Sequence, residues 1–363
     1  MDIRTAGDRF PGIGRYAYHL ACALARQKNR GELILLYCPG LANTRFDTLS
    51  FAADVKIVAA GAPPLTAREQ LLLPLQLRRL APDVTHFPSW IMPYAAPRPF
   101  VLTVHDLIPL CLPAYYKPWQ RRAYRASLAF SLRFAARVIC PSQATRCNLE
   151  SVFPGIGSRL SVIPEGVAES FRPCTKKESD RVRTKYSLPE RYLLHVGSNK
   201  PHKNLPALLD AYARVGRAPE LLLAGAHDPR LPEVRRRIEL LGLANRVRLM
   251  GLVPEEDLPG LYGGAQAFVF PSTYEGFGLP PLEAMACGAP VACSDIPSLR
   301  EAAGSAALFF DVCSPESIAN ALQRIIGDEE LRAGLRASGL LRASELTWDL
   351  AAQKTLDVYR QAC

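Results

Sequence analysis

Two glutamates, Glu275 and Glu283, stand with seven residues between them in the run PSTYEGFGLPPLEAMA, residues 271–286. A carboxylate accepts two hydrogen bonds at once, so each can grip a vicinal diol of a sugar or ribose. Gly276 and Gly278 let the backbone approach a ligand closely, and the helix expected from Pro281 onward offers the positive end of its dipole to an anion. Two carboxylates flanking such a turn fit a ligand with hydroxyls at both ends and phosphate between them. The alternative is a plain loop with a glutamate in the first helical turn. A second group, Gly197-Ser198-Asn199-Lys200-Pro201-His202-Lys203-Asn204, follows a strand and precedes a helix that Asn204 is expected to cap. Lys203 there would meet a diphosphate together with helix amides, and His202 would add a donor. His105-Asp106 stands at the carboxyl tip of a third strand.

The elements that must position these residues read as strands alternating with helices. In the first half, 33–38, 55–59, 84–87, 100–104, 138–141 and 160–163 are short apolar runs. In the second, 192–196, 221–224, 247–250, 267–270, 291–293 and 307–310 repeat the pattern. Near-continuous apolar strands between helical segments mean parallel sheets covered on both faces. The expected fold is α/β, with two doubly wound Rossmann-like domains facing across a crevice. They would comprise residues 1–172 and 173–347, with a terminal helix 348–363 returning to the first, and a polar seam at 169–179. Pro11-Gly12-Ile13-Gly14-Arg15-Tyr16 is taken as a loop ahead of an amphipathic helix, Tyr18–Ala25. It lacks the third glycine of a dinucleotide fingerprint, which excludes a dehydrogenase.

Charge separates the halves. The net charge is +10; residues 1–175 carry 21 Lys and Arg against 11 Asp and Glu, whereas residues 176–363 carry 23 of each. The densest basic stretch, Lys117–Arg137, interleaves Arg121, Arg122, Arg125 and Arg133 with Trp119, Tyr124, Phe130 and Phe134. At helical period this is the pattern of a helix on an anionic lipid surface, or of a helix packing on its own domain with arginines in water. Arg68–Pro74, leading to Arg78-Arg79, is a shorter version. No nucleic-acid motif accompanies the charge. No apolar run is long enough to span a bilayer, and the opening residues have no signal-peptide core. The ten cysteines are scattered singly, without metal-site or redox spacing, and are expected to be reduced and mostly buried.

Together these segments resemble the family-4 retaining glycosyltransferases of the GT-B fold, over nearly the whole chain. Gly12-Ile13-Gly14-Arg15-Tyr16 is similar to their first loop, His105-Asp106 to their crevice histidine, and Pro141-Ser142 and Val162–Val167 to their pre-linker strands. Gly197–Asn204 resembles the diphosphate loop, Glu275–Glu283 the signature glutamate pair, and Trp348–Tyr359 the returning helix.

The resemblance implies that Lys203 neutralises the leaving diphosphate and that His105 sits by the reacting sugar. Glu275, with the amides of Phe277 and Gly278, would hold sugar and phosphates, and Glu283 the ribose. Gly12, Gly14, Gly197, Ser198, His202, Gly276 and Leu279 complete the implied donor site. No metal or other cofactor is expected. His202 stands where an arginine is common, Ser198 where some members place an arginine, and only Met1-Asp2-Ile3 precedes Arg4 where the family has an apolar strand. The start is therefore either misassigned or lacks that strand.

Gly-Ile-Gly-Arg-Tyr with His-Asp-Leu-Ile-Pro, residues 105–109, resembles members that move mannose from GDP-mannose onto lipid-linked glycans in O-antigen or exopolysaccharide assembly. That implies a cytoplasmic enzyme, peripheral on the inner face of the membrane. A UDP-sugar transferase, a sugar-nucleotide epimerase and a non-catalytic nucleotide-sugar scaffold are the alternatives.

Overall fold

The computed structural model describes residues 1–43, 45–49, 51 and 55–363. The chain divides into two units, Met1–Gly166 with Thr347–Cys363, and Val167–Leu346. The division falls ahead of the expected 172/173, because Ala168 and Phe171 are buried in the core of the second unit.

Among the described residues, six strands build the first unit: β1 (Ile34–Tyr37), β2 (Lys56–Ala59), β3 (Thr85–Phe87), β4 (Phe100–Thr103), β5 (Arg137–Cys140) and β6 (Leu160–Val162). They pair in parallel as β1–β2 and β3-β4-β5-β6. Residues 1–3 join the two groups. Asp2 bridges Leu36 in parallel register, and its N–H donates to the His86 carbonyl at 2.9 Å. The position of the strand expected to be missing is therefore filled, though by three residues only. Alternate side chains of each strand enter different cores. Val101 and Ile139 meet the helices Pro11–Arg26 and Trp348–Ala362. Leu102 and Val138 meet Ala67–Leu80, Pro118–Phe134 and Gln143–Val152 on the other face. The period of two thus buries both faces of the sheet.

The second unit has β7 (Tyr192–Val196), β8 (Glu220–Ala224), β9 (Val247–Gly251), β10 (Ala267–Phe270), β11 (Val291–Ser294) and β12 (Leu308–Phe310). All pair in parallel, in the order β12-β11-β10-β7-β8-β9. The chain reverses direction across the sheet between β7 and β10. In a doubly wound sheet this is where the loops at the carboxyl ends part and leave room for a ligand.

One helix begins earlier than expected, and another stands where none was read. Pro11 opens the first, so Gly12 and Gly14 lie in its initial turn, not in a preceding loop. Proline has no N–H to lose there, which suits it to that position. The seam read as polar and aperiodic contains the start of the helix Lys176–Lys185. Thr175 and Glu178 cap it reciprocally: Thr175 N–H donates to the Glu178 carboxylate at 2.8 Å, and Glu178 N–H to Thr175 Oγ1 at 3.3 Å. Of the cysteines, Cys140, Cys287 and Cys293 are buried, whereas Cys147, Cys313 and Cys363 are exposed and the other four half-buried. Burial is therefore the minority state, contrary to expectation, because helix surfaces and loop positions carry the rest.

Candidate functional site

The loops that follow β7 and β10 bring Lys203 and Glu275 together. Lys203 Nζ donates to Glu275 Oε1 at 2.5 Å, with 13% of each side chain exposed. The ammonium also lies over the Phe270 ring, 4.9 Å from its centroid. Burial alone would raise the Glu275 carboxyl, but Lys203 beside it carries it below its ordinary value. Lys203 closes a single turn, Pro201–Lys203, directly ahead of the helix Leu205–Ala213. The His202 carbonyl accepts from Thr273 N–H at 2.8 Å, which ties the two loops to each other.

The His202 ring itself is buried, and burial with the neighbouring lysine lowers its pKa to about 4. It is neutral near pH 7 and adds no charge to the site. Asn204 does not cap with its side chain. It turns the chain at φ 54°, and its Nδ2 reaches the Val312 carbonyl at 3.3 Å.

Two glycines bring the loops after β7 and β8 close together. Gly197 N–H donates to the Ala224 carbonyl at 2.9 Å. At Gly225, with φ +132°, a Cβ would lie 2.1 Å from the Gly197 carbonyl oxygen, so only glycine fits. Ser198 is half-buried in the same loop. Asn199 clamps the loop after β8, donating to the carbonyls of Asp228 and Leu231 at 2.9 Å each.

On the β10 side, Gly276 and Phe277 lead to Gly278, whose φ of 139° admits the start of the helix Leu279–Ala286. A Cβ at Gly278 would lie 2.7 Å from Leu299 Cδ2. First-turn amides of a helix lack partners within it, so this end can receive an anion. Glu283, within that helix, is 2% exposed, and its carboxylate accepts from the Tyr262 hydroxyl at 3.1 Å. Tyr262 is a partner that its motif gave no sign of.

In the first unit, His105 follows β4 at the carboxyl edge of its sheet. Its Nδ1 lies 3.1 Å from Glu165 Oε1, and its Nε2 2.8 Å from the Pro88 carbonyl oxygen. Tyr16 meets the imidazole edge-on, with centroids 4.6 Å apart. Tyr16 and Glu165 stood in the sequence only as members of the first-loop and pre-linker segments, with no role of their own; 60 residues separate Glu165 from His105. Gly12 has open space where a Cβ would be, whereas at Gly14 a Cβ would lie 2.6 Å from the Thr5 carbonyl oxygen. Gly14 is thus a packing requirement of the first turn.

The basic helix Pro118–Phe134 buries Tyr124, Leu128 and Leu132 and exposes Arg122, Arg125 and Arg133, with Arg121 half-buried. Trp119, at 64% exposure, also points outward. Among the described residues no group of three or more His, Cys, Asp or Glu could hold a metal ion, and no helix is long and apolar enough to cross a membrane.

Residues 11–171 match Glycosyltransferase Family 4, and residues 176–340 match Glycosyl transferases group 1. O-antigen chain mannosyltransferase B of Escherichia coli is 31% identical to the chain and is covered over 96% of both proteins. The chain belongs to glycosyltransferase family 4.

Serotype-specific mannosyltransferase WbdA of Escherichia coli is 29% identical over 78% of this glycosyltransferase, which spans 37% of WbdA. Among solved structures, sucrose-phosphate synthase from Thermosynechococcus elongatus superposes with TM-score 0.75 at 23% identity, over 98% of this chain and 93% of that one. HepE from Anabaena in complex with UDP gives TM-score 0.75 at 20% identity, over 98% and 97%. These likenesses show the GT-B type of fold, two Rossmann-like units with parallel sheets.

Proposed function

We propose that this glycosyltransferase moves an α-mannosyl group, with retention, from GDP-mannose to a lipid-linked glycan during cell-surface polysaccharide assembly. The observation that carries the transfer chemistry is the Lys203–Glu275 pair at the direction reversal between β7 and β10. The bond from the sugar's anomeric carbon to the donor diphosphate breaks, and a bond from the same carbon to an acceptor hydroxyl forms on the same face. The acceptor's proton passes to the departing phosphate. Lys203 and the amides of Phe277 and Gly278 balance the charge that grows on the diphosphate, the kind of preorganised electrostatics that dominates such steps. Glu275 holds sugar hydroxyls while it orients Lys203, Glu283 takes the ribose, and His105 serves the reacting sugar. Residue charge of this kind meets the leaving group's need without a metal ion.

The mannose assignment is supported by the likeness to O-antigen chain mannosyltransferase B. HepE, solved with UDP, favours a second reading in which the donor is a UDP-sugar. Thermal melting of the purified protein against GDP, UDP, ADP and their sugars separates these readings. A ligand at about 100 times its Kd adds roughly 2.7 kcal/mol. A shift with GDP and GDP-mannose alone supports the first reading, a shift with UDP replaces it with the second, and no shift with any nucleotide overturns both. We further propose that the helix carrying Arg121, Arg122, Arg125 and Arg133 rests on the anionic inner face of the cytoplasmic membrane, where a lipid-linked acceptor resides.

A further inference from the structure

We propose that Glu165 is a positioning residue that holds His105 as an oriented imidazolium, so that the ring serves transfer as a fixed positive charge and not as a proton acceptor. The inference rests on the reading of His105 as a participant in transfer.

The geometry leaves the ring no free lone pair. Its Nε2 lies 2.8 Å from the Pro88 carbonyl oxygen. A carbonyl only accepts, so that nitrogen carries a proton. Its Nδ1 lies 3.1 Å from Glu165 Oε1. A neutral ring would set a bare nitrogen against a carboxylate; a doubly protonated ring donates on both sides. Three further contacts prevent the imidazole from turning away. Tyr16 packs against it edge-on, and the Tyr16 hydroxyl is fixed on Thr103 Oγ1 at 3.1 Å. Thr145 Oγ1 donates to the His105 carbonyl at 3.2 Å.

The groups that face the ring from the surrounding elements are few. Glu165 comes from the segment that follows β6, Asp106 from the next position in the chain, Tyr16 from the helix Pro11–Arg26 and His86 from β3. Burial pushes His86 down to about 3, so it is neutral and does not compete. Burial would also strip His105, but the hydrogen bond and charge of Glu165 outweigh it and the His105 pKa is raised. Glu165 is itself buried, so its charge acts on the ring with little screening.

A ring occupied on both nitrogens cannot take the acceptor's proton without breaking one of these bonds. What it adds is positive charge and shape. The proton then has the departing phosphate as its destination, as the transfer step above requires.

Ring titration by NMR in the full-length protein tests this without any donor, with His105→Asn assigning the signal. The His105 midpoint is expected above the ordinary histidine value of about 6.5. Glu165→Gln should lower it by about one unit or more, and Glu165→Asp should keep part of the rise. In transfer assays the wild type should lose kcat on the alkaline side. In Glu165→Gln that limb should move to lower pH, with the donor KM unchanged. A midpoint that ignores Glu165→Gln, or activity that rises as the ring deprotonates, overturns the proposal. A chain inactive with every sugar nucleotide would instead sink the proposed function, while the titration still decides whether Glu165 sets the charge of His105.

Discussion

Lys203 Nζ and Glu275 Oε1 lie 2.5 Å apart although 72 positions separate them in the chain. Removing one partner of a buried pair leaves an uncompensated charge. Lys203→Met is therefore expected to cost about 3 kcal/mol in denaturant unfolding and to reduce transfer at least ~100-fold. The pair also fixes a pH dependence. The folded Glu275 carboxyl lies below its ordinary value, so its contribution to stability is fully present above the ordinary carboxylate range and is lost as pH falls through the lowered value. Unfolding measured from about pH 6 down to pH 3, across the ordinary carboxylate range, should fall more steeply in the wild type than in Glu275→Gln. Parallel curves would mean that the pair does not form in solution.

Gly225 and Gly12 should respond to alanine in opposite ways. At Gly225 the backbone is left-handed, and a Cβ would meet the Gly197 carbonyl oxygen at 2.1 Å. Gly225→Ala is expected to cost about 2–3 kcal/mol and to weaken nucleotide binding by displacing the Gly197 loop. Gly12 has open space and helical backbone. Gly12→Ala should leave stability unchanged or raise it by up to ~1 kcal/mol. If transfer nevertheless falls, a substrate approaches this backbone; if it does not, the resemblance of the first turn to the family's first loop has no functional content here.

Arg4 ties residues 1–3 to the rest of the first unit. Its guanidinium donates to Asp2 and Glu69, each at 2.7 Å, with a side-chain exposure of 0%. Arg4→Met buries both carboxylates without their partner and is expected to cost about 3–5 kcal/mol. Thermal melting measures it, and a loss under about 1 kcal/mol, the scale of an exposed pair, would show that water reaches the cluster.

Charge reversal at Arg122, Arg125 and Arg133 tests the membrane reading. These side chains are exposed on the helix Pro118–Phe134. Each basic residue near an anionic surface contributes about 1 kcal/mol, so the triple Glu variant should lose co-sedimentation with anionic vesicles roughly 100-fold or more. Binding to neutral vesicles should be weak in both proteins. Equal binding of wild type and variant to anionic lipid would remove this helix from the membrane contact.

Strand positions were legible because both faces of each sheet are covered. Ala267–Phe270 is an uninterrupted apolar run and Tyr192–Val196 is broken only by His195, and both form strands at the expected bounds. The helix start at Pro11 and the cap at Thr175 and Glu178 had local signals, a first-turn proline and a reciprocal pair three residues apart, that a search for apolar periodicity passes over. Residues 1–3 were not legible at all. Three residues fill a strand's place through a single bridge only because Leu36 and His86 lie on either side. Glu165 was hidden for a related reason. It meets His105 across the intervening β5, so its role depends on strand order, which single-sequence patterning does not give. The loop positions of Glu275 and Lys203 were legible from the glycine and helix signals beside each, whereas their contact with one another was not.

The helix Trp348–Ala362 packs Trp348, Ala352 and Leu356 into the same core as Tyr16 and Leu20. During synthesis, therefore, the first unit emerges from the ribosome with one side of its sheet covered by the helix Pro11–Arg26 but not yet by Trp348–Ala362. It must wait while all of Val167–Leu346 is made, roughly ten to forty seconds at the usual ~5–20 residues per second. The second unit is contiguous and can fold in that interval. For this chain the order of birth and the order of completion are reversed: the unit that starts first is the last to finish.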